Sequence, residues 1–228
     1  MKKAIILLLF ISSIFCLFTT CKEEDDKPTP TCDFVNFKYY NGEQYYLGEL
    51  SNNYIVIGVD TSYSETQIQD FISSINQFDQ NYSYTIHKST LHKFKEIPLR
   101  LNYSKTCEEI TQIISYLKGC EIISYAHYAM QTDYCYNLIG EPMGNLCINS
   151  YGSDFFVKVF DTNDLSGLTQ MAQKTKTEIV EQNEYLPDLF ELRATKYSQG
   201  DALKMANLFF ESGLFDFSEP QYGSYPVE

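Results

Sequence analysis

The hydrophobic period of the sequence changes several times between residues 154 and 222, and the order of these changes constrains the fold more than any other feature. Strand-like runs rich in β-branched and aromatic residues alternate with stripes of apolar residues at helical spacing. In chain order these are a strand at 155–160, a helix at 165–172, strands at 177–180 and 190–194, a helix at 202–209 and a strand at 214–218. This order predicts one βαββαβ ferredoxin-like unit.

The same order occurs upstream, which predicts a tandem repeat. Two capping boxes of the Ser/Thr-x-x-Gln/Glu type, beginning at Ser64 and Thr106, mark the starts of the two upstream helices. The pair Asn41-Gly42 lies between tyrosine-rich runs and is typical of a hairpin turn. We therefore expect an α+β protein with two tandem ferredoxin-like βαββαβ units and antiparallel sheets, preceded by a β-hairpin.

Shifts in composition divide the chain into six segments. They are a lipoprotein signal peptide at 1–20, an acidic and proline-containing tether at 21–33, the hairpin with the first unit at 34–130, an inter-repeat hairpin or linker at 131–153, the second unit at 154–222 and a C-terminal tail at 223–228. Each unit is large enough to enclose a core of its own, although a unit of this size alone would be marginally stable.

The N-terminus has the organisation of an export signal. Two lysines precede an apolar stretch that is too short for a transmembrane helix. The four residues that end at Cys21 resemble a bacterial lipobox, which implies lipidation of Cys21. The acidic run at 22–26 resembles the tether of surface-exposed lipoproteins, although a solvated charge run is the alternative interpretation. We expect an exported lipoprotein of the outer membrane, displayed at the cell surface and attached to the membrane only through its N-terminal lipid.

The sequence gives no support for catalysis, for a cofactor or for a metal site. His87, His92 and His127 are the only histidines, and none has the spacing of a metal-binding motif. Nucleophile elbows, phosphate-binding loops and dinucleotide fingerprints are absent from the sequence. The formal net charge of −13 disfavours nucleic acid as a partner, because phosphates would be repelled. We expect a protein that is not an enzyme.

Cys135 and Cys147 are the best candidates for a disulfide bond. They flank a turn-forming segment at 140–144, so that a bond between them would close a hairpin. Cys107 and Cys120 lie at opposite ends of one predicted helix, about 20 Å apart, and cannot pair with each other. The alternative is that all these cysteines are small buried apolar residues.

Two stretches of the second repeat carry a resemblance to a known family. Residues 156–161 and especially 207–220 resemble the N-terminal prosegment of subtilisin-like serine peptidases from Bacteroidetes-type bacteria. The Tyr39-Tyr40-x-Gly42 hairpin is similar to the start of the same prosegments. Such prosegments are ferredoxin-like units that assist the folding of the peptidase and then inhibit it.

In that family the C-terminal end of the prosegment lies in the active-site cleft. The resemblance therefore implies an inhibitory tail formed by Glu219, Pro220, Gln221 and Tyr222. Catalytic motifs do not follow, since the sequence ends at Glu228. We expect a free-standing prosegment-like protein that acts in trans on a subtilisin-like serine peptidase, as inhibitor or folding assistant.

Two other interpretations stay open. The chain could be a surface module that binds host glycans or proteins, because the same fold serves many functions. The candidate ligand surface is then the tyrosine-rich hairpin, with Tyr39, Tyr40, Tyr45 and Tyr46. The other interpretation is a remnant of a longer peptidase.

Overall fold

Both repeats are present in the computed structural model, which describes residues 31–88, 94–137 and 139–227. The preceding hairpin consists of β1 (Phe37–Tyr40) and β2 (Glu43–Tyr46). The first unit comprises β3 (Glu49–Asp60), α1 (Glu65–Ser74), β4 (His87–Lys88), β5 (Phe94–Arg100), α2 (Cys107–Lys118) and β6 (Ile123–Thr132). The second comprises β7 (Cys147–Val159), α3 (Ser166–Thr175), β8 (Glu178–Gln182), β9 (Leu189–Arg193), α4 (Ala202–Glu211) and β10 (Phe215–Pro226).

The strand order within each unit is that of the ferredoxin-like fold. The first unit has the order β4-β5-β3-β6, and the second has the order β10-β7-β9-β8. In both, the first strand of the unit lies between its third and fourth strands, and all of these pairings are antiparallel. The predicted α+β class and tandem βαββαβ architecture are therefore confirmed.

The two predicted capping boxes and the predicted hairpin turn are present in the structure. The Ser64 hydroxyl accepts a hydrogen bond from the Gln67 amide, and the Gln67 side chain accepts one from the Ser64 amide, which completes the first capping box. The box that begins at Thr106 closes in the same way. In the hairpin, Asn41 and Gly42 have φ values of 50° and 81°, as the two central residues of a type I′ turn require.

Each unit buries one face of its sheet against its own pair of helices. In the first unit Ile55, Ile57 and Val59 alternate along β3 and pack against apolar residues of α1 and α2. In the second unit Phe155 and Val157 of β7 have the equivalent role, against α3 and α4. Burial of these aliphatic and aromatic faces stabilises the fold.

The two sheets are joined, which the predicted linker at 131–153 did not anticipate. Three residues at the end of β6, Met130 to Thr132, pair with Asn149 to Cys147 at the start of β7. The predicted linker bounds are therefore wrong at both ends, and only residues 133–146 connect β6 to β7. The physical reason is the length of the two strands, because each extends beyond its own unit and the two ends satisfy one another's backbone hydrogen bonds.

The predicted end of the last strand is also wrong. The strand was expected at 214–218, with a separate tail at 223–228, whereas β10 extends to Pro226 and pairs with β7 along almost its whole length. The second strand of the first unit is short, since it contains only His87 and Lys88. Several residues before this strand, the Asp79 side chain accepts a hydrogen bond from the Asn81 amide and stabilises a turn.

The sheet faces that carry no helices meet one another. Tyr54 and Val56 of β3 form a third apolar cluster with Ala129 and Ile148. On the same faces, the Arg193 guanidinium of β9 lies 5.2 Å from the centre of the Phe94 ring of β5. The two units therefore share an interior as well as backbone hydrogen bonds.

Candidate binding site

The β1–β2 hairpin is fixed on the second unit by contacts with α4. The Asn207 side chain donates a hydrogen bond of 2.9 Å to the Phe37 carbonyl. The Tyr39 ring stacks on the Phe210 ring at 4.5 Å between centres, and its hydroxyl donates to Glu211 at 2.9 Å. The hairpin therefore has a defined position beside β10.

One face of this hairpin and the strand β10 together enclose an ion pair. The Lys38 ammonium pairs with the Glu219 carboxylate of β10, and the two side chains are only 7% and 13% exposed. Three tyrosine rings surround this ammonium. Its distances to the ring centres are 5.4 Å for Tyr40, 6.0 Å for Tyr45 and 4.7 Å for Tyr222.

We call the surface formed by Tyr40, Tyr45 and Tyr222 the tyrosine patch. Their exposed fractions are 53%, 50% and 45%, so about half of each side chain is packed against the protein and the other half is in contact with solvent. The Tyr40 and Tyr45 rings are 6.4 Å apart and meet edge to face. A half-exposed tyrosine contributes about 100 Å², which gives a contiguous aromatic surface of roughly 300 Å².

The charge beneath the patch is internally compensated. Lys38 would be costly to bury alone, but the Glu219 carboxylate and the faces of the rings stabilise its ammonium. The three rings and the ion pair that they enclose therefore carry no net charge. Because the ion pair lies between the hairpin and β10, it also fixes the relative positions of the three rings.

The predicted ligand surface is only partly assembled as expected. Tyr40 and Tyr45 lie on the Lys38 side of the hairpin, because Lys38 pairs with Tyr45 across the two strands. Tyr39 and Tyr46 belong to the other side, where Tyr39 packs on α4 and Tyr46 stays 52% exposed. The predicted four-tyrosine surface is therefore split.

The predicted inhibitory tail is not a free segment. Glu219, Pro220 and Tyr222 pair with Phe156, Phe155 and Tyr151 of β7, and Gln221 lies at the irregularity between them. No local sequence signal connects this segment with the hairpin. In the structure Glu219 and Tyr222 contribute directly to the tyrosine patch.

The C-terminal end of β10 is held by a buried polar network. The hydroxyls of Tyr225 and Tyr125 both donate hydrogen bonds to the Glu96 carboxylate of β5. Burial, reinforced by the negative charge of Glu96, raises the pKa of both tyrosines. The phenols therefore stay protonated and act as donors.

Of the other predicted site residues, Cys135 and Cys147 form the expected disulfide bond, with an S–S distance of 2.08 Å. A second bond joins Cys32 to Cys107 and was not anticipated. The proposed lipidation site, Cys21, lies outside the described residues.

The position of Lys38 beside two of the patch tyrosines could have been deduced from the sequence. A two-residue Asn-Gly loop sets the hairpin register, which places Lys38 opposite Tyr45 and two residues from Tyr40 on one face. No local signal identifies Glu219 as its partner, since the two residues are 181 positions apart.

Comparison with known proteins adds little. No protein-family model matches the chain, and no curated protein matches it. Among solved structures, the chain is similar to the small subunit of an acetolactate synthase from Thermotoga maritima, with 10% identity over 76% of this chain and 95% of that chain and a TM-score of 0.28. A similarity of this strength carries no argument about function.

Two negative findings apply to residues 31–88, 94–137 and 139–227. No helix in this part of the chain is both long and apolar enough to cross a membrane. No group of three or more His, Cys, Asp or Glu side chains there is arranged to hold a metal ion.

Proposed function

We propose that the protein is a non-catalytic binding module and that its tyrosine patch binds a neutral glycan. The observation that carries this proposal is the arrangement of three half-exposed rings around a buried, compensated ion pair. Aromatic side chains that pack at one end and reach solvent at the other are typical of recognition surfaces.

The size of the patch favours a glycan over a protein. A stable protein–protein interface takes about 800 Å² from each partner, whereas the patch offers roughly 300 Å² of aromatic surface. That area matches a few sugar rings. The rings and the ion pair carry no net charge, and the exposed Glu43 carboxylate opposite Tyr40 would repel an anion, so the patch favours a neutral ligand over an anionic one.

The test is binding of the purified protein to an array of neutral and charged glycans. We expect neutral glycans to be retained, and we expect Tyr40→Ala, Tyr45→Ala and Tyr222→Ala each to weaken binding at least fivefold. Tyr185→Ala is the matched control, since Tyr185 is 83% exposed and lies outside the patch. The proposal fails if no glycan binds, or if the control weakens binding as much as the patch variants do. Binding of a protein instead of any glycan would also overturn it.

The location of the protein is part of the same proposal. We infer that it is exported and attached to the outer membrane through a lipid on Cys21, with the folded units displayed at the cell surface. Radiolabelled palmitate should be incorporated into the wild-type protein and not into the Cys21→Ala variant. Label that persists in the variant would contradict this assignment.

A prosegment-like inhibitor of a subtilisin-like serine peptidase is the second candidate function. One observation favours it: within the described residues β10 pairs with β7 alone, so the backbone groups of its other edge form no ladder with a strand there, although the hairpin lies beside β10. Tyr222 lies on this strand as well as in the patch.

The inhibitor proposal can be tested apart from the glycan proposal. The wild-type protein at micromolar concentration should slow several subtilisin-like peptidases. Tyr225→Phe removes a hydrogen bond that holds the end of β10. If β10 must leave β7 to enter the active-site cleft of a peptidase, this variant should inhibit more strongly than the wild-type protein. No inhibition by either protein would reject this candidate and leave the glycan proposal unaffected.

A further inference from the structure

A cavity of about 260 Å³ lies between the two units, away from the tyrosine patch. Its walls come from α2 and β6 of the first unit and from the segment 194–201 and the start of α4 in the second. Three lysines and two aspartates line it: Lys118, Lys196, Lys204, Asp33 and Asp201.

Both aspartates already have partners. Asp33 accepts a hydrogen bond of 2.9 Å from the Tyr128 hydroxyl and pairs with the Lys204 ammonium. Asp201 caps α4 by accepting from the Lys204 amide at 3.0 Å, and it also accepts from the Tyr151 hydroxyl at 3.0 Å. Neither carboxylate needs a further cation.

Lys118 is different. Its side chain lies in the last turn of α2, and among the described residues its ammonium makes no hydrogen bond and no ion pair. Burial lowers the pKa of this amine, although the carboxylates of Asp201 and Asp33 oppose that effect. A partly buried ammonium without a partner is costly, and a bound anion would relieve that cost.

The His127 imidazole supplies a hydrogen-bond acceptor in the same cavity. It is stacked between the rings of Tyr125 and Tyr151, with centres 4.7 Å and 4.4 Å away. Its Nδ1 lies 3.0 Å from the Tyr151 carbonyl oxygen, which can only accept, so Nδ1 carries the proton. Nε2 is therefore the acceptor, and it has no partner within the described residues.

We propose that this cavity binds a small hydroxylated carboxylate, of the size of a hydroxy acid or a monosaccharide acid. Its carboxylate accepts hydrogen bonds from Lys118, and one of its hydroxyls donates to Nε2 of His127. Such a ligand supplies an anion for the Lys118 ammonium and a hydrogen-bond donor for Nε2 of His127. The cavity is lined by three lysines and two aspartates, and this excess of positive charge favours an anionic ligand. Because the walls belong to both units, the bound ligand also stabilises their docking.

The first experiment titrates D-glucuronate, D-glucose and acetate into the wild-type protein at pH 7 by calorimetry. Glucuronate has the anion and the hydroxyls, glucose lacks the anion and acetate lacks the hydroxyls. We expect glucuronate to bind at least tenfold more tightly than either of the others, as one charge-assisted hydrogen bond implies. Equal affinities for glucuronate and glucose, or no glucuronate binding at millimolar concentration, would overturn the proposal.

Variants identify the site. Lys118→Met should weaken glucuronate binding at least tenfold, whereas Lys174→Met, in the last turn of α3, should leave it unchanged. Ser115 is exposed on α2 and lines the cavity, so the larger side chain of Ser115→Tyr should fill the cavity and block binding. Gln112 is exposed on the same helix but does not line the cavity, so Gln112→Tyr should leave binding unchanged. Unaltered binding by both Lys118→Met and Ser115→Tyr would place the ligand elsewhere and reject the assignment.

Discussion

Acidification should weaken the protein through His127, which is 3% exposed. Burial lowers the pKa of this imidazole from 6.5 to about 4, because the charged form loses its hydration. The unfolded chain therefore binds a proton below about pH 6.5 that the folded protein binds only near pH 4. The free energy of unfolding should be highest above pH 6.5 and should fall as the pH drops towards 4.

The size of this effect follows from the two pKa values. Between pH 8 and pH 4.5 the unfolded imidazole becomes almost fully protonated while the folded one stays mostly neutral, which removes about 2.5 kcal/mol of stability. The neighbouring charges act in both directions, since Asp201 and Glu96 raise the pKa of His127 and Lys118 lowers it. A loss of this size is a large part of the total stability of an ordinary domain, about 5–15 kcal/mol.

Urea denaturation at pH 8 and pH 4.5 measures this loss directly. In the His127→Gln variant the amide can still donate to the Tyr151 carbonyl but cannot titrate, so its acid loss should be smaller than that of the wild type by about 2.5 kcal/mol. His87→Gln keeps His127 in place and should retain most of the loss. Equal acid losses in the wild type and His127→Gln, or an NMR titration of His127 near pH 6.5, would refute the reasoning.

Three further predictions concern stability and can be checked by urea denaturation. Arg193→Leu should cost about 3–5 kcal/mol, because it leaves the Asp154 carboxylate, 3% exposed, without its bidentate partner; a cost below 1 kcal/mol would contradict this. Cys135→Ser should cost about 3 kcal/mol and Cys32→Ser about 4.5 kcal/mol, since the sequence separations are 12 and 75 residues; the opposite order would contradict the loop-length argument. Tyr225→Phe should cost about 1–3 kcal/mol and accelerate hydrogen exchange at the end of β10, and unchanged exchange would show that its hydroxyl does not hold the strand.

The parts of the fold that could be predicted depend on signals within a few residues. A capping box fixes the first turn of a helix because its two hydrogen bonds join residues three positions apart, as at Ser64 and Thr106. The Asn41-Gly42 turn fixes the hairpin in the same way. Alternation along residues 155–159 of β7 then identifies its buried face, whereas residues 54–59 of β3 are buried on both faces.

What could not be predicted depends on pairs that are distant in sequence. The pairing of β6 with β7 requires two strand ends to project beyond their units, and no local signal in the sequence marks it. The partner of Lys38 is 181 residues away, and no periodicity points to it. The candidate site was therefore found in part, because the hairpin tyrosines are a local signal and the contribution of β10 is not.

The pairing of β10 with β7 has different consequences for the two candidate functions. If residues 219–222 enter a peptidase cleft as a separate tail, they must leave β7, break the Lys38–Glu219 pair and dismantle the tyrosine patch. Separation of a buried ion pair alone is unfavourable by about 3–5 kcal/mol when one partner stays buried. An inhibitor built in this way would have to recover that energy in its complex, whereas a glycan ligand uses the patch as it stands. The binding module therefore requires no rearrangement, and strong inhibition by the wild-type protein with β10 still paired to β7 would be inconsistent with this argument.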